Sequence, residues 1–256
     1  MYALLALATS GANAEAAKLG MKWLSSLQRP DGGWPPSPSV DQSTWVTALV
    51  LLLLADPDPS PAVEKAAGWL LKQSGRESAF LRRLRLRLLG VKDDTDTNLK
   101  GWPWYPDTAA WVTPTALTIL ALEKVHRRKP SEILADRIET GRRFLLSRMC
   151  ADGGWNHGSS RALGYEAGSY PETTGMALLA LHALPPHKLD KSFTMAERHL
   201  HTCRSAEGLS WLQLGLLAHS RLGTVPQPPA ECRSTMNASL AVLVEAASRG
   251  RNVFLG

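Results

Sequence analysis

The sequence predicts an all-α fold, an α/α toroid in which an inner ring of apolar helices lies inside an outer ring of amphipathic ones, built from helical-hairpin repeats. Three observations lead to this prediction: a motif ending in Asp-Gly-Gly-Trp occurs twice, apolar and amphipathic segments alternate, and Gly- or Pro-rich turns separate them. Repeated helical hairpins are typical of such architectures. No linker divides the chain, so residues 1–256 are predicted to form one domain. An open helical solenoid is the alternative, because a repeat count alone does not fix ring closure.

The repeated motif spans Gly20 to Trp34 and Gly141 to Trp155. The two copies read GMKWLSSLQRPDGGW and GRRFLLSRMCADGGW, and they are separated by a constant offset of 121 residues. A partial copy occurs at Gly101-Trp102. Such a long match predicts that the two segments form the same local structure.

The predicted inner helices are rich in Leu and Ala, lack the alternation of strands, and are bounded by Pro or Gly. They are Ser43 to Ala55, Trp111 to Val125, Thr173 to Leu184, Ser210 to His219 and Met236 to Ala247. The predicted outer helices carry a single apolar stripe. They are Ala14 to Gln28, Pro61 to Gln73, Ser131 to Met149 and Lys191 to Cys203, with further candidates at Tyr2 and at Ser78 to Leu89.

Composition narrows the class of protein. With 44% hydrophobic and 20% charged residues the chain is globular, and its net charge of +6 permits contact with anionic partners without requiring it. The three Cys are widely spaced with no Cys-x-x-Cys pair, which predicts a reducing compartment and no disulfide framework. The run Ala48 to Ala55 is too short to span a bilayer, so we expect a cytoplasmic protein, either soluble or peripheral to a membrane.

At the two repeated turns the sequence resembles a known family. Trp23-Leu24, Gln28 and Gly32-Gly33-Trp34 are similar to the Gln-Trp repeat of the squalene-hopene cyclase and oxidosqualene cyclase family, which protein prenyltransferase β subunits carry in degenerate form. The second copy departs from the pattern, because Met149 stands where the Gln belongs. The resemblance implies a terpenoid cyclase type of α/α toroid, in which Gln28 caps a helix end and Trp34 stacks on it.

The aromatic residues divide into two groups. Trp34 and Trp155 are expected to be structural parts of the repeat, together with Gln28, and Trp23 and Trp69 are expected to lie in the core. A second group precedes or opens the inner helices, where a toroid has the mouth of its cavity, and consists of Trp45, Trp102, Trp104, Tyr105, Trp111 and Tyr170. Such a lining suits an isoprenoid or another extended apolar ligand, and its aromatic faces could stabilise carbocations. The alternative is that these are loop aromatics packed on helix ends.

A cyclase that protonates an alkene needs a tuned carboxylic acid, supplied in the resembling family by a DxDD motif. The nearest match is Asp94-Thr95-Asp96-Thr97, in which Thr97 replaces the last Asp. Glu172 is the other candidate acid, since it stands in the first turn of a predicted inner helix. The alternatives are a solvated acidic loop for Asp94 and Asp96 and a favourable helix-dipole contact for Glu172.

No cofactor and no metal are predicted. Cys150, Asp152 and His157 share one loop, but Asp152 belongs to the repeat, and the spacing of His199, His201 and Cys203 on a helix directs neighbours to different sides. The basic segment Phe80 to Leu89 could rest on anionic lipid or serve as an ordinary outer helix, and nucleic acid is not expected as a partner.

Two functions are therefore predicted. One is a terpenoid cyclase-like or prenyltransferase-like enzyme that acts on an isoprenoid or lipid, with Glu172, Asp94 or Asp96 as the acid. The other is a non-catalytic relative of the same fold that binds a lipid or a protein. The sequence fixes neither the substrate nor the oligomeric state.

Overall fold

The computed structural model of the chain describes residues 1–55, 60–78, 99–158, 161–162, 165–221 and 234–256. Within these residues α-helices account for most of the structure, so the all-α prediction is confirmed. Each of the five inner and four outer helices listed above is present to within about one helical turn. A helix also begins at Tyr2, whereas the candidate at Ser78 to Leu89 lies, apart from Ser78, outside the described residues.

The described part of the chain contains ten α-helices. They are α1 (Tyr2–Ser10), α2 (Ala14–Ser26), α3 (Val46–Leu54), α4 (Pro61–Lys72), α5 (Val112–Arg128), α6 (Glu132–Ser147), α7 (Pro171–Ala180), α8 (Asp190–Thr202), α9 (Ala206–Ala218) and α10 (Thr235–Ser248). Two short 3-10 helices occur at Arg76–Ser78 and Pro186–Lys188.

The chain divides into two compact units. One comprises residues 1–24 and 149–256, and the other comprises residues 25–148. In the first unit α7 packs closely on α9, and α10 packs on both α1 and α9. In the second unit α5 packs on α3 and on α6, and α4 packs on α3.

The apolar helices are buried on nearly all sides. Every residue of α5 from Val112 to Val125 is buried, and so is every residue of α3 from Thr47 to Leu53. The amphipathic helices bury one face only; α4, for example, buries Val63 and Trp69 but exposes its charged residues. Burial of the apolar helices supplies most of the favourable free energy of folding, at about 25 cal/mol per Å² of apolar surface removed from water.

One predicted core residue is not buried. The expectation that Trp23 lies in the core is wrong, because its side chain is 54% exposed, and Leu24 is the only fully buried residue of α2. The companion expectation for Trp69 on α4 is confirmed.

Two short antiparallel strand pairs were not predicted. Strand β1 (Trp102–Pro103) pairs with β2 (Ala110–Trp111), and β3 (Arg161–Ala162) pairs with β4 (Tyr165–Glu166). Strands of two residues are too short to show the alternation by which a strand is predicted. The first pair closes the loop that leads directly into α5.

Candidate functional site

The first repeated turn is built around the carboxylate of Asp31. Its Oδ1 accepts hydrogen bonds from the backbone N–H of Gly33 at 3.0 Å and from the Ser43 hydroxyl at 2.7 Å. Gly32 adopts φ +96°, and a Cβ atom there would lie 2.6 Å from the carbonyl oxygen of Lys65 in α4. Only glycine fits this position, because both the φ angle and the space exclude a side chain.

The second turn repeats these features. Asp152 accepts from the backbone N–H of Gly154 and from the Ser169 hydroxyl, both at 2.9 Å. Gly153 also has φ +96°, and its Cβ would lie 2.8 Å from the carbonyl oxygen of Lys191 in α8. The two turns thus have equivalent environments, as the 121-residue repeat predicts.

Each repeat Trp is buried and is tied through its backbone to the helix that follows. The backbone N–H donates to a threonine hydroxyl of that helix in three places, from Trp34 to Thr47 at 2.9 Å, from Trp102 to Thr115 at 2.8 Å and from Trp155 to Thr174 at 3.0 Å. Trp102, assigned from the sequence to the substrate surface, therefore also occupies the position of a repeat Trp.

The Gln of the repeat bonds to backbone carbonyls. Gln28 Nε2 donates to the carbonyl oxygen of Gly32 at 3.0 Å and to that of Ala62 in α4 at 2.9 Å. The side chain thereby joins the turn to the start of the next helix. At the matching position Met149 Sδ receives only a long contact of 3.9 Å from the Ser192 hydroxyl. Stacking of Trp34 on Gln28 stays a prediction.

A pocket lies within the second unit where α3, α4, α5 and the β1–β2 loop meet. It holds about 220 Å³ of empty space, part of it open to solvent. Its lining residues are Trp45, Trp69, Leu70, Gln73, Trp102, Pro103, Trp104, Pro106 and Thr118. We call it the aromatic pocket, because four of these nine side chains are Trp. Three of the six predicted ligand-contacting aromatics are among them.

Trp45 and Trp104 form one wall of the aromatic pocket. Their rings meet edge to face, with centroids 4.7 Å apart and planes at 90°. The backbone N–H of Trp45 donates to the carbonyl oxygen of Trp104 at 3.1 Å. An edge-to-face pair contributes about 0.5–1.5 kcal/mol beyond the area it buries. Together with the backbone hydrogen bond it fixes the β1–β2 loop to the start of α3.

The ring of Trp102 packs against Arg137 of α6. The Arg137 guanidinium lies 3.3 Å from the centroid of the Trp102 ring, and it donates to the carbonyl oxygens of Lys100 at 2.6 Å and Gln73 at 3.0 Å. The Trp102 indole N–H donates to the carbonyl oxygen of Leu70 at 2.8 Å. Burial lowers the pKa of Arg137 to about 9. A side chain of α6 thus holds the C-terminal end of α4 against β1.

The other three predicted ligand-contacting aromatics do not line this pocket. Tyr105, Trp111 and Tyr170 are 44%, 37% and 46% exposed. Tyr170 packs beside the ring of His157, with centroids 5.1 Å apart. Contact of these three side chains with a ligand stays a prediction.

A polar cluster lies in the first unit at the start of α7. The Ser169 hydroxyl is 2.9 Å from Asp152 Oδ2 and 2.9 Å from His199 Nε2 of α8. An ionised carboxylate only accepts, so the hydroxyl donates to Asp152, and Nε2 must then carry the ring hydrogen that it donates to Ser169. In this arrangement His199 cannot take a proton from Ser169. The three side chains brace α8 against the turn and do not form a nucleophile and its base.

The two ionisable members of this cluster titrate away from their ordinary ranges. Burial lowers the pKa of His199, although the nearby carboxylates of Asp152 and Glu172 raise it. Burial alone would raise the pKa of Asp152, but hydrogen bonds from Ser169 and Gly154 lower it below its ordinary value. The cluster is therefore a neutral imidazole bonded through a hydroxyl to a carboxylate.

Glu172 lies beside a second carboxylate. It is in the first turn of α7, and Glu207 is in the first turn of α9. Burial raises the pKa of Glu207, and the charge of Glu172 raises it further. Of the two interacting carboxyl groups, Glu207 is therefore the one that keeps its proton to higher pH than usual.

Two other predicted elements lie outside the described residues. These are the candidate acids Asp94 and Asp96 and the basic segment Phe80 to Leu89. In the parts of the chain that are described, no three His, Cys, Asp or Glu side chains are grouped so as to hold a metal ion. No helix in those parts is both long enough and apolar enough to cross a membrane.

Sequence reasoning missed Gln73, Thr118 and Arg137 at the aromatic pocket. Gln73 and Thr118 each occur within a regular helical pattern, and nothing in the pattern marks the side that meets the loop. Arg137 lies on a helix with many other charged residues, so its burial against Trp102 has no signal in the sequence.

Comparison with known proteins adds no identification. No family model matches the sequence, and no curated protein matches it significantly.

Proposed function

We propose that the chain is a single α/α toroid of the terpenoid cyclase type and that it binds an isoprenoid or another apolar molecule at the aromatic pocket. The lining of the pocket carries the proposal. Four Trp, two Pro and one Leu meet there with only two polar side chains, Gln73 and Thr118. A mostly apolar and aromatic lining with a few polar groups is typical of small-molecule sites.

The toroid is supported by the alternation of fully buried and one-sided helices and by the recurrence of the Trp turn. Ring closure can be tested by small-angle X-ray scattering. A compact chain of this length has an expected radius of gyration of about 18 Å. An open solenoid would give a clearly larger value and an elongated distance distribution, which would contradict the ring.

The size of the pocket limits what it holds. Much of its 220 Å³ is open to solvent, and the enclosed part has room for about one water molecule. An apolar ligand would therefore lie against the mouth of the pocket, and side chains would have to move before any part of the ligand could enter.

Binding can be tested by tryptophan fluorescence with geraniol and farnesol as probes. We expect saturable quenching in the parent protein and its loss in Trp104→Ala and Trp45→Ala. Trp23→Ala is the matched control, because Trp23 is exposed and is not among the lining residues. Equal quenching in all three variants would place binding elsewhere and contradict the proposal.

The carboxylate pair favours a second candidate function, proton-initiated cyclisation. Burial and the charge of Glu172 raise the pKa of Glu207, so Glu207 holds its proton to higher pH than an ordinary carboxyl group. A protonated carboxyl group of this pair could give its proton to an alkene, and the carboxylate left behind would stabilise the cation that forms. This candidate requires that the ligand reach α7 and α9.

Turnover distinguishes the enzyme from a non-catalytic relative. The protein would be incubated with squalene and with geranylgeranyl diphosphate, and the products analysed by mass spectrometry. If the protein is a cyclase, Glu172→Gln and Glu207→Gln should abolish cyclised products, whereas Glu15→Gln, on the exposed face of α2, should not. Ligand binding without product from the parent protein would favour the non-catalytic lipid-binding function.

A further inference from the structure

We propose that Met149 is a reversible oxidation site, and that the sulfoxide formed there accepts a hydrogen bond from the buried Ser192 hydroxyl and so strengthens the second repeated turn. Met149 stands at the position that Gln28 occupies in the first copy of the repeat. The oxidant is a peroxide, and the product is a polar side chain at a position where the other copy also has one.

The hydroxyl of Ser192, in α8, is buried and has only a weak acceptor among the described residues. That acceptor is the thioether sulfur of Met149, 3.9 Å away. A thioether accepts weakly, whereas a hydroxyl and the oxygen that accepts its hydrogen ordinarily lie about 2.7–2.8 Å apart. A buried hydroxyl with so weak a partner lowers the stability of the fold. Ser192 is therefore a donor in need of a stronger acceptor.

The first copy of the repeat has its donor on the other side of the same contact. There the Gln28 amide is the donor, and backbone carbonyl oxygens accept. When the copies are aligned on Lys65 and Lys191, which lie against the matching glycines, Ala66 stands at the position of Ser192. The second copy thus has its donor on the helix. The side chain of the turn has to supply the acceptor.

Oxidation supplies that acceptor. The thioether sulfur of Met149 attacks one oxygen of hydrogen peroxide, the O–O bond breaks, and a bond forms between sulfur and the transferred oxygen. The transferred oxygen gives its proton to the departing hydroxide, which leaves as water. The sulfur is oxidised to the sulfoxide, and the peroxide is reduced by the same electrons. The new oxygen is a strong acceptor on the atom that already contacts the Ser192 hydroxyl.

The position of Met149 allows this reaction to take place in the folded protein. Met149 is half-buried, so a small peroxide can reach it, whereas Met176 of α7 is buried. A sulfoxide in an apolar core costs free energy, because a polar oxygen is removed from water without a partner. At Met149 the oxygen has a donor on one side and access to water on the other.

Treatment of the full chain with hydrogen peroxide tests the proposal. Peptide mass spectrometry follows the sulfoxide at Met149, and urea denaturation measures stability before and after treatment. Met149→Leu, treated in the same way, gives the effect of oxidising the other methionines, which is then subtracted. Oxidation of Met149 should lower the unfolding equilibrium constant of the parent protein about 2- to 10-fold. Methionine sulfoxide reductases should reverse the change.

Two variants make the test specific to the hydrogen bond. In Ser192→Ala the donor is gone, so oxidation of Met149 should no longer stabilise the protein. Met149→Gln carries an amide oxygen on the atom that replaces the sulfur, and peroxide does not oxidise it. Ser192→Ala should therefore raise the unfolding equilibrium constant of Met149→Gln about 2- to 10-fold more than it raises that of the parent protein.

Three results would overturn the proposal. The first is a Met149 that is oxidised in urea but not in the folded protein, because the sulfur would then be closed to peroxide. The second is an equal effect of oxidation in the parent protein and in Ser192→Ala. The third needs no Ser192 variant and so holds even if Ser192→Ala does not fold. It is a parent protein that becomes less stable on oxidation after the effect in Met149→Leu has been subtracted.

Discussion

Gly215 of α9 lies directly against Gly175 of α7, since a Cβ atom added to Gly215 would be 2.5 Å from the carbonyl oxygen of Gly175. The reverse addition is still less tolerable, because a Cβ on Gly175 would be 2.2 Å from the backbone carbonyl carbon of Trp211. Two helices can approach this closely only where both lack side chains. The close contact places the first turns of α7 and α9, with Glu172 and Glu207, side by side.

The first prediction concerns this contact. Gly175→Ala should destabilise the protein by about 1–3 kcal/mol or more, because backbone atoms cannot yield as a side chain can. Gly68→Ala, on α4, is the control, since a Cβ there meets nothing within 4 Å. It should stabilise by about 0.5–1 kcal/mol through helix propensity and unfolded-state entropy. Urea denaturation measures the stability of both variants. Equal effects of the same sign would show that α7 and α9 are not in close contact at Gly175.

The repeat Trp residues are predicted to act on stability. Trp34→Ala and Trp155→Ala should each lower the free energy of unfolding by about 3–5 kcal/mol, because both side chains are fully buried. Trp23→Ala should change it far less, since that side chain is exposed. Thermal unfolding with and without farnesol separates stability from binding. A Trp34→Ala protein that kept its melting temperature but lost the ligand would show that the repeat Trp has a binding role.

Two histidines with lowered pKa values, the buried His199 and the half-buried His219, predict a pH dependence of stability. Burial lowers the folded-state pKa of His199 and of His219 below the ordinary 6.5. As the pH falls below about 6.5, these histidines take up protons in the unfolded chain before they do so in the folded protein. The free energy of unfolding therefore decreases from about pH 6.5 downward, until the pH has passed the folded-state pKa of each ring.

The pKa values of Glu207 and Glu123 are raised, so these two carboxyl groups add to stability as the pH falls through part of the same pH range. The effect of each histidine is therefore measured by comparing the stability of the parent protein with that of a variant that lacks the histidine. His199→Gln and His219→Gln should each show a smaller loss of stability than the parent between about pH 7 and pH 5. An unchanged slope in both variants would mean that the imidazoles do not resist protonation in the folded protein.

The carboxylate pair makes a prediction that needs no substrate. Glu172→Gln should lower the pKa of Glu207 toward its ordinary value, because a neutral amide no longer repels a second negative charge. NMR titration of the Glu207 side chain measures this shift. The control is Glu197→Gln on α8. A Glu207 pKa that responded equally to both substitutions would show that the two carboxylates are not specifically coupled.

The helices could be predicted because each is determined by the pattern of apolar residues within its own segment. Thr47 to Leu53 is apolar on nearly every side, and so is Val112 to Val125 apart from its threonines, Glu123 and Lys124. Such segments of helical length have to be buried. The burial of Trp69 was predicted from the single apolar stripe of α4. The exposure of Trp23 was not predicted, because one stripe on a helix shows which residues could be buried and not whether another element covers them.

The candidate site was predictable only in part. Trp45 and Trp104 could be assigned to the pocket, since each adjoins the start of a buried helix or the loop before one. Glu172 was found in the same way, but its partner Glu207 was not, because the contact depends on how closely Gly175 and Gly215 allow two helices to approach. Arg137 was missed because no pattern in the sequence indicates that its guanidinium packs on the Trp102 ring.

The matched turns also show which part of the repeat is fixed and which part varies. Lys65 and Lys191 lie against the corresponding glycines, and eight residues further along the chain stand Gln73 and His199. Gln73 lines an apolar pocket, while His199 is bonded to a serine. The shared Asp, Gly and Trp build the same turn twice and hold the following helix in the same place. The same frame therefore presents an amide in one unit and an imidazole in the other.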